Sequence, residues 1–272
     1  MTEKIIEPRH GSFVKNFADV WRHRELLGVL VWRGIATRYR QMVLGPLWMV
    51  LEPLALLAMM TVVFGLILKL PTDGYPFPVF AYAALVPFML FSKTASSVAD
   101  CLRENMGLIS KVYFPRLLLP LVSVARELFD AGISIVLIIL VSWVYGFVPT
   151  AKLLMLPLFM MLAVASALAI GLWVAAAMVK FRDIRHGLTI MLQLWMYATP
   201  IVYSASVVPA WLLPFYKLNP LFWVVEGFRW VLLGKPFEFG GSFALSVAIV
   251  AAGLISGLFV FNHFERLAVD TQ

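Results

Sequence analysis

The sequence predicts an all-α integral membrane protein with six transmembrane helices, and three observations lead to this fold class. Apolar residues make up 62% of the 272 residues, charged residues make up only 14%, and the mean hydropathy is +0.90. A soluble domain is about half apolar and about a quarter charged. Six continuous apolar blocks are each roughly 20 residues long, which is the length of a helix that spans a bilayer. The basic residues lie mainly between these blocks, where they set orientation in the membrane.

The first 46 residues are predicted to form a cytoplasmic segment, with an amphipathic helix over 13–44 that lies in the membrane interface. On a helix that turns about 100° per residue, three arginines fall on one stripe: Arg22, Arg33 and Arg40. Apolar side chains fill a neighbouring arc: Phe17, Val20, Leu27, Val31 and Ile35. Arg38 falls inside that arc and interrupts the pattern. A soluble cytoplasmic arm is the alternative.

Residues 47–272 are predicted to form the transmembrane domain, with spans at about 47–68, 77–99, 128–148, 153–179, 186–203 and 243–262. If the N-terminus is cytoplasmic, 15 Lys and Arg residues lie on the cytoplasmic side and 5 on the outer side. This threefold bias predicts that both termini are cytoplasmic. It also explains the net charge of +7 by orientation in the membrane, and nucleic acid is not expected as a partner.

Five ionisable residues lie within or beside the predicted spans: Glu52, Lys93, Arg126, Glu127 and Asp130. All five fall in the cytoplasmic half, and a proton relay is disfavoured because it needs carboxylates at several depths. Glu52 and Lys93 are predicted to pair between helices. Arg126 and Asp130, four residues apart, are predicted to pair on one helix face.

The cytoplasmic loop over 100–117 is predicted to hold a short polar helix that a soluble motor subunit can push. Its polar residues are Arg103, Glu104, Asn105 and Lys111. Gly107 is a residue that could break this helix. The alternative is a solvated loop without a partner.

The outer segment over 204–241 is apolar but broken by prolines, which predicts short helices that dip back into the membrane and form an outer gate. Asn219 and Pro220 begin the second of these helices. Glu226 and Arg229 lie three residues apart and are predicted to pair on it. A seventh span is the alternative.

Aromatic residues are frequent in the outer half of the spans, where charge is scarce. A passage lined by aromatic faces would let sugar rings stack while they slide. Phe80, Tyr82 and Tyr197 are the residues that we expect to line it. A lipid-facing aromatic belt is the alternative.

The sequence contains no motif for binding nucleotides or metals. It has no GxxxxGK[ST] phosphate loop and no HExxH motif, and its single cysteine, Cys101, cannot pair within the chain. No cofactor site, metal site or catalytic residue is therefore expected in this chain, which is not predicted to be an enzyme by itself.

Four motifs carry a family resemblance: Arg38-Tyr39-Arg40 followed by Leu44-Gly45-Pro46-Leu47-Trp48 and Glu52-Pro53; the run LISKVYFPR from Leu108 to Arg116; Phe181-Arg182-Asp183; and Thr199-Pro200-Ile201-Val202-Tyr203 followed by Leu218-Asn219-Pro220 and Arg229. In order, spacing and topology they resemble the membrane-spanning subunits of type-2 ABC exporters for polysaccharides, the O-antigen, capsule and teichoic-acid permeases. The resemblance runs through nearly the whole chain.

The resemblance implies a homodimer of six-span subunits in the bacterial inner membrane, with two copies of a separate ATPase that binds ATP and Mg²⁺. It implies an interface helix over 13–44, a coupling helix within 100–117 and outer gate helices within 204–241. The cargo would be a polysaccharide on a polyprenyl diphosphate or another lipid anchor, with O-antigen favoured over capsule polysaccharide. Exporters of drugs or lipids, a membrane-bound transferase and a passive channel or scaffold are the alternatives.

Overall fold

The computed structural model describes residues 21–40, 45–111, 114–148, 150–181 and 183–270, and within these ranges the chain is helical without strands. Ten α-helices follow one another: α1 (Arg24–Arg40), α2 (Trp48–Met60), α3 (Phe77–Glu104), α4 (Met106–Ile109), α5 (Leu118–Val144), α6 (Leu156–Met178), α7 (Ile184–Tyr197), α8 (Leu213–Leu218), α9 (Pro220–Leu233) and α10 (Gly241–Asp270). A π-helical turn over Thr61–Ile67 extends α2, and a 3-10 turn over Ala151–Met155 precedes α6.

Five helical segments of the described chain are long and apolar enough to cross a membrane: Trp48–Ile67, Phe77–Glu104, Leu118–Val144, Ala151–Met178 and Gly241–His263. The predicted all-α integral membrane fold is thereby confirmed. The fifth predicted span, 186–203, contains α7, which has 14 residues and is about 21 Å long. The six-span count, the cytoplasmic termini and the division at residue 46 stay predictions.

The third span begins ten residues earlier than the sequence suggested. Helix α5 starts at Leu118 rather than near residue 128, and it carries Arg126, Glu127 and Asp130 inside it. These charges do not end the helix because partners from other helices neutralise them, as described below. A hydropathy pattern shows that these residues are charged but not that other helices supply partners for them. It therefore places the start of the span too late.

Helix α3 is the central helix of the protein. Its side chains are buried almost continuously from Val79 to Leu90, and it packs against α5, α6 and α9. Two glycines allow close approach of neighbouring helices. Gly171 of α6 lies against Val98, and Gly227 of α9 lies against the ring of Phe159. Small residues at such contacts are typical of helix packing in membranes.

Replacing Gly227 with alanine is expected to destabilise the protein by about 1–3 kcal/mol, the usual cost of overpacking a tight interior. A Cβ atom at this position would lie 2.2 Å from Cε1 of Phe159, so the ring or the helix has to move. Thermal unfolding in detergent measures the effect. Gly132→Ala on α5 is the matched control, because a Cβ there meets no atom of the described chain within 4 Å. Equal unfolding temperatures for the two variants would contradict the packing argument.

Candidate functional site

An open cleft of about 1210 Å³ lies between α2, α3, α5 and α7. Met49 and Pro53 form its wall on α2, and Leu192 and Met196 form the facing wall on α7. Phe88 lies on α3 at the back. The cleft is open along one side of the chain and is not enclosed by this chain alone.

The polar part of the cleft is rich in uncharged hydrogen-bonding groups. Five hydroxyls and one amide line it: Ser92, Ser96, Ser97, Ser134, Thr189 and Gln193. Most of these side chains lie on the second half of α3 or the first half of α7, which is the cytoplasmic end in the predicted orientation. Hydroxyl and amide groups both donate and accept hydrogen bonds, so this surface suits a ligand covered with hydroxyls.

A salt bridge joins two walls of the cleft. Lys93 Nζ of α3 lies 2.7 Å from Glu52 Oε2 of α2. The predicted inter-helix pair is thereby confirmed. Both side chains are partly exposed to the cleft, which places their charges at its surface.

Arg38 makes a double salt bridge that fixes α1 on α5. Its Nη2 atom donates to Glu127 Oε1 at 2.7 Å, and its Nη1 atom donates to Asp130 Oδ2 at 2.8 Å. The Glu127 side chain is almost fully buried. The arginine that interrupts the apolar arc of α1 is thus the residue that holds this helix in place.

Arg126 does not pair with Asp130, and the predicted pair on one helix face is wrong. Its Nη2 atom donates to Ser97 Oγ at 3.1 Å and lies 3.8 Å from Glu104 Oε2, both on α3. Asp130 is turned toward α1 instead, where Arg38 reaches it. Close packing against α1 holds the Arg126 side chain in this direction, since a Cβ at Gly34 would lie 2.5 Å from Arg126 Cδ.

The predicted interface helix is present as α1. Arg22 and Arg33 are exposed, whereas Leu27, Val31 and Ile35 are half-buried on the side that packs against α5. The side chain of Arg40 and the residues 13–20 and 41–44 of the predicted helix lie outside the described part of the chain. Contact with the membrane interface stays a prediction.

The cytoplasmic loop contains a short helix, but its composition differs from the prediction. Arg103 and Glu104 end α3, and Asn105 connects to α4, which consists of Met-Gly-Leu-Ile. Gly107 therefore lies inside the helix and does not break it. Lys111 is exposed after the helix. The polar residues flank α4 because α3 continues five residues beyond the predicted end of its span.

Arg229 on α9 is fully buried, and its partners come from three parts of the chain. Nη1 donates to Glu226 Oε1 at 2.9 Å, and Nη2 donates to the carbonyl of Ile201 at 2.9 Å. The guanidinium carbon lies 3.6 Å from the ring centroid of Phe80. The predicted pair of Glu226 and Arg229 is thereby confirmed, and its surroundings are more polar than the sequence indicated.

Lys235 extends this pair into an outer cluster, which we define as Asp73, Ser204, Ser206, Glu226, Arg229 and Lys235. Lys235 Nζ lies 3.0 Å from Glu226 Oε2 and 3.1 Å from Asp73 Oδ2. Ser204 and Ser206 donate hydrogen bonds to Asp73. Burial alone would raise the pKa of Asp73, but these hydrogen bonds and the Lys235 ammonium hold it below its ordinary value. The cluster thereby links the α2–α3, α7–α8 and α9–α10 connections.

Asn219 begins α9 as predicted, and its side chain joins α9 to α7. Its Oδ1 atom accepts from the backbone N–H of Leu221 at 3.0 Å, which caps the helix, and from Trp195 Nε1 at 3.0 Å. Its Nδ2 atom donates to Thr199 Oγ1 at 3.1 Å. Pro220 takes the first position of the helix, where its missing N–H costs nothing. The predicted short outer helices are thus observed as α8 and α9, and their role as a gate stays a prediction.

Two of the three aromatic residues expected to line a passage do not reach a surface. Phe80 and Tyr82 are fully buried in the chain, because α6 and α9 cover the outer half of α3. Phe80 serves instead as the face on which Arg229 lies. The prediction for these two residues is wrong. Tyr197 is 63% exposed at the end of α7 and borders the cleft, so its role stays a prediction.

Among the described residues, no group of three or more His, Cys, Asp or Glu side chains has an arrangement that could hold a metal ion. The side chains of the cleft therefore offer salt bridges, hydroxyls, amides and apolar surface.

Comparison with known proteins adds independent evidence. The model of the ABC-2 type transporter family matches residues 25–233. The O-antigen export system permease protein RfbA of Myxococcus xanthus is 30% identical over 190 residues, which cover 70% of this chain and 72% of that protein. The RfbA protein of Klebsiella pneumoniae is 26% identical over 245 residues, or 89% of this chain and 92% of that protein. The polysialic acid transport protein KpsM of Escherichia coli is 27% identical over 238 residues, or 86% and 91%.

The family match begins within α1 and ends with α9, and it includes the cleft, the double salt bridge of Arg38 and all residues of the outer cluster except Lys235. Five apolar helices of spanning length agree with it. The chain thus belongs to the ABC-2 type transporter family and is a multi-pass protein of the bacterial inner membrane.

Proposed function

We propose that the chain is the transmembrane subunit of an ATP-driven exporter that moves a lipid-linked polysaccharide across the inner membrane. The cargo that we favour is O-antigen on a polyprenyl diphosphate. The observation that carries the proposal is the cleft, which is lined by hydroxyl and amide groups together with apolar side chains in a chain related to O-antigen permeases. A glycan chain needs such a surface, on which many weak contacts form and break as it slides.

A second copy of the chain completes the passage in this proposal. The cleft is open along one side, and a homodimer with facing clefts encloses a path between the subunits. Homodimers with twofold symmetry are the commonest oligomers. The enclosed path then has two sets of polar groups at its cytoplasmic end.

Two copies of a separate ABC ATPase supply the energy and bind ATP and Mg²⁺. The permease contributes the docking surface, for which we propose the end of α3 and the short helix α4. Arg103, Glu104 and Lys111 are exposed there, and Asn105 donates from Nδ2 to the Cys101 carbonyl at 2.8 Å, which stiffens the connection. In this arrangement the chain itself performs no chemistry.

The charges of the cleft favour a polymer without regular negative charge. The basic side chains that line it, Arg38 and Lys93, already bind carboxylates at 2.7–2.8 Å. A polyanion would have to displace these carboxylates, whereas neutral sugars need only the hydroxyl and amide groups. An anionic capsule polymer or teichoic acid is therefore the second candidate, favoured by the similarity to KpsM.

Blocking the cleft tests the proposal. The chain and its ATPase are expressed in a strain that lacks its own exporter and makes a neutral or a polysialic acid polymer, and surface polymer is measured. We expect export of the neutral polymer, and a loss of at least tenfold on Gln193→Trp, because the indole fills the passage. Ile190→Trp is the matched control, since Ile190 is exposed on the same helix away from the cleft.

Equal export by the two tryptophan variants would contradict a path through the cleft. Export of the polysialic acid polymer at the rate of the neutral one would contradict the preference for an uncharged cargo. ATP turnover and membrane insertion of each variant are measured alongside, so that a folding defect is recognised.

A further inference from the structure

Helix α7 is short and is packed loosely along its length. Of its 14 residues, Leu188 and Leu192 are buried, and most of the others are exposed or line the cleft. Leu188 and Leu192 pack into the apolar core and the Trp195 ring contacts Phe91, so apolar packing holds one face of the helix. Polar contacts fix its two ends.

The outer end of α7 is attached to buried structure. Trp195 and Thr199 bind the side chain of Asn219, which begins α9. Two residues further on, the Ile201 carbonyl accepts from Arg229. Helix α9 is itself buried almost completely, so this end of α7 is fixed.

At the other end of α7, an ion pair attaches the helix to α3. Arg185, in the first turn, donates from Nε to Asp100 Oδ2 at 2.9 Å. Asp100 is nearly buried and also lies 3.3 Å from Arg103, which belongs to the same helix. Asp100 is four residues from the end of α3, and α4 begins directly after Asn105.

We infer that Asp100 and Arg185 are positioning residues that transmit movement of the α3–α4 junction to α7. When the ATPase displaces α4, Asp100 moves with α3 and draws the start of α7 with it, while the outer end stays attached to α9. The cleft then widens or narrows at its cytoplasmic end. Asp100 is nearly buried, and Arg185 at 2.9 Å is its nearer cationic partner, since Arg103 lies at 3.3 Å. This inference rests on the proposed function.

The test separates transmission from folding. Asp100→Asn, Arg185→Gln and the double variant are assembled with the ATPase, and export and ATP turnover are measured on the same preparations. We expect export to fall at least tenfold in all three, with ATP turnover within twofold of the wild type. The double variant should lose no more export than each single variant, because either substitution alone already removes the ion pair. Arg185→Lys should recover part of the export, and His186→Gln, which changes an exposed neighbour in the same turn of α7, should behave as the wild type.

A distance measurement keeps the test independent of export. Spin labels are placed at Ile190 on α7 and Val136 on α5, both exposed, in a Cys101→Ser background and diluted with unlabelled protein. The distance between them should change on ATP binding in the wild type and stay constant in Asp100→Asn.

Two results would overturn the link. One is full export by Asp100→Asn and Arg185→Gln. The other is a parallel loss of export, ATP turnover and assembly, which would give the pair a structural role only. If the wild-type complex exports no polysaccharide but the label distance still changes with ATP and depends on Asp100, the proposed function fails and the link holds.

Discussion

Replacing Arg229 with alanine is expected to yield little folded protein and no export. The guanidinium group is fully buried, and it neutralises Glu226, donates to Ile201 and covers the Phe80 ring. Removing one partner of a buried ion pair costs about 3–5 kcal/mol. We expect the lower end of this range, because Lys235 stays 3.0 Å from Glu226 and compensates part of its charge. A loss of this size is a large part of the stability of a typical protein.

The measurement is thermal unfolding of the purified chain together with its amount in the membrane. Glu226→Gln combined with Arg229→Met should be less harmful than Arg229→Ala, because it removes both charges and retains the volume. Glu238→Gln, an exposed position between α9 and α10, is the control and should unfold as the wild type. A double variant that is worse than the single one would show that the Glu226–Arg229 pair is not the source of the stability.

Replacing Arg38 with glutamine is expected to detach α1 from α5 and to abolish export. The change leaves Glu127 and Asp130 on one face of α5 without the guanidinium group that bridges them. Arg38 is about one-third exposed, so solvent screening reduces the cost below that of a fully buried pair. We expect a loss on the order of 2 kcal/mol in the docking of α1.

Limited digestion with trypsin reports this docking, because Arg33 on α1 and Arg22 just before it are exposed. Cleavage there should be at least tenfold faster in Arg38→Gln than in the wild type. Arg38→Gln with Glu127→Gln and Asp130→Asn should recover part of the protection, since the repelling charges are gone. Arg33→Gln removes an exposed arginine of the same helix and should leave docking unchanged. If Arg38→Gln is digested at the rate of the wild type, the double salt bridge of Arg38 does not hold α1 on α5.

Spacing within one helix predicted the pairs with mixed success, and the one distant pair that was predicted is that of Glu52 and Lys93. Arg126 and Asp130 have a suitable spacing but do not pair, because each side chain has a partner on another helix. Glu226 and Arg229 lie three residues apart on a helix, and their pair follows from spacing. Arg38 lies 89 and 92 residues from Glu127 and Asp130. The apolar arc that Arg38 interrupts was the signal for a polar partner, but nothing in the spacing identified that partner.

The aromatic residues show a second limit. Phe80, Tyr82 and Tyr197 look alike in the sequence, since each lies in an apolar segment near the outer side. Their different burial follows from the return of α9 onto α3, which covers Phe80 and Tyr82 and leaves Tyr197 exposed. An amphipathic pattern identifies the faces of one helix. It does not say which of them a later segment covers.

The outer cluster determines how the protein responds to an acidic growth medium. In the predicted orientation the cluster lies on the outer side of the membrane, where the cytoplasm does not control the pH. Asp73 has a pKa below its ordinary value of 3.8, so its contacts contribute stability above that pH and lose it only as the pH falls through the lowered pKa. The carboxylate therefore keeps its charge, and its attachment to Lys235, in any mildly acidic medium.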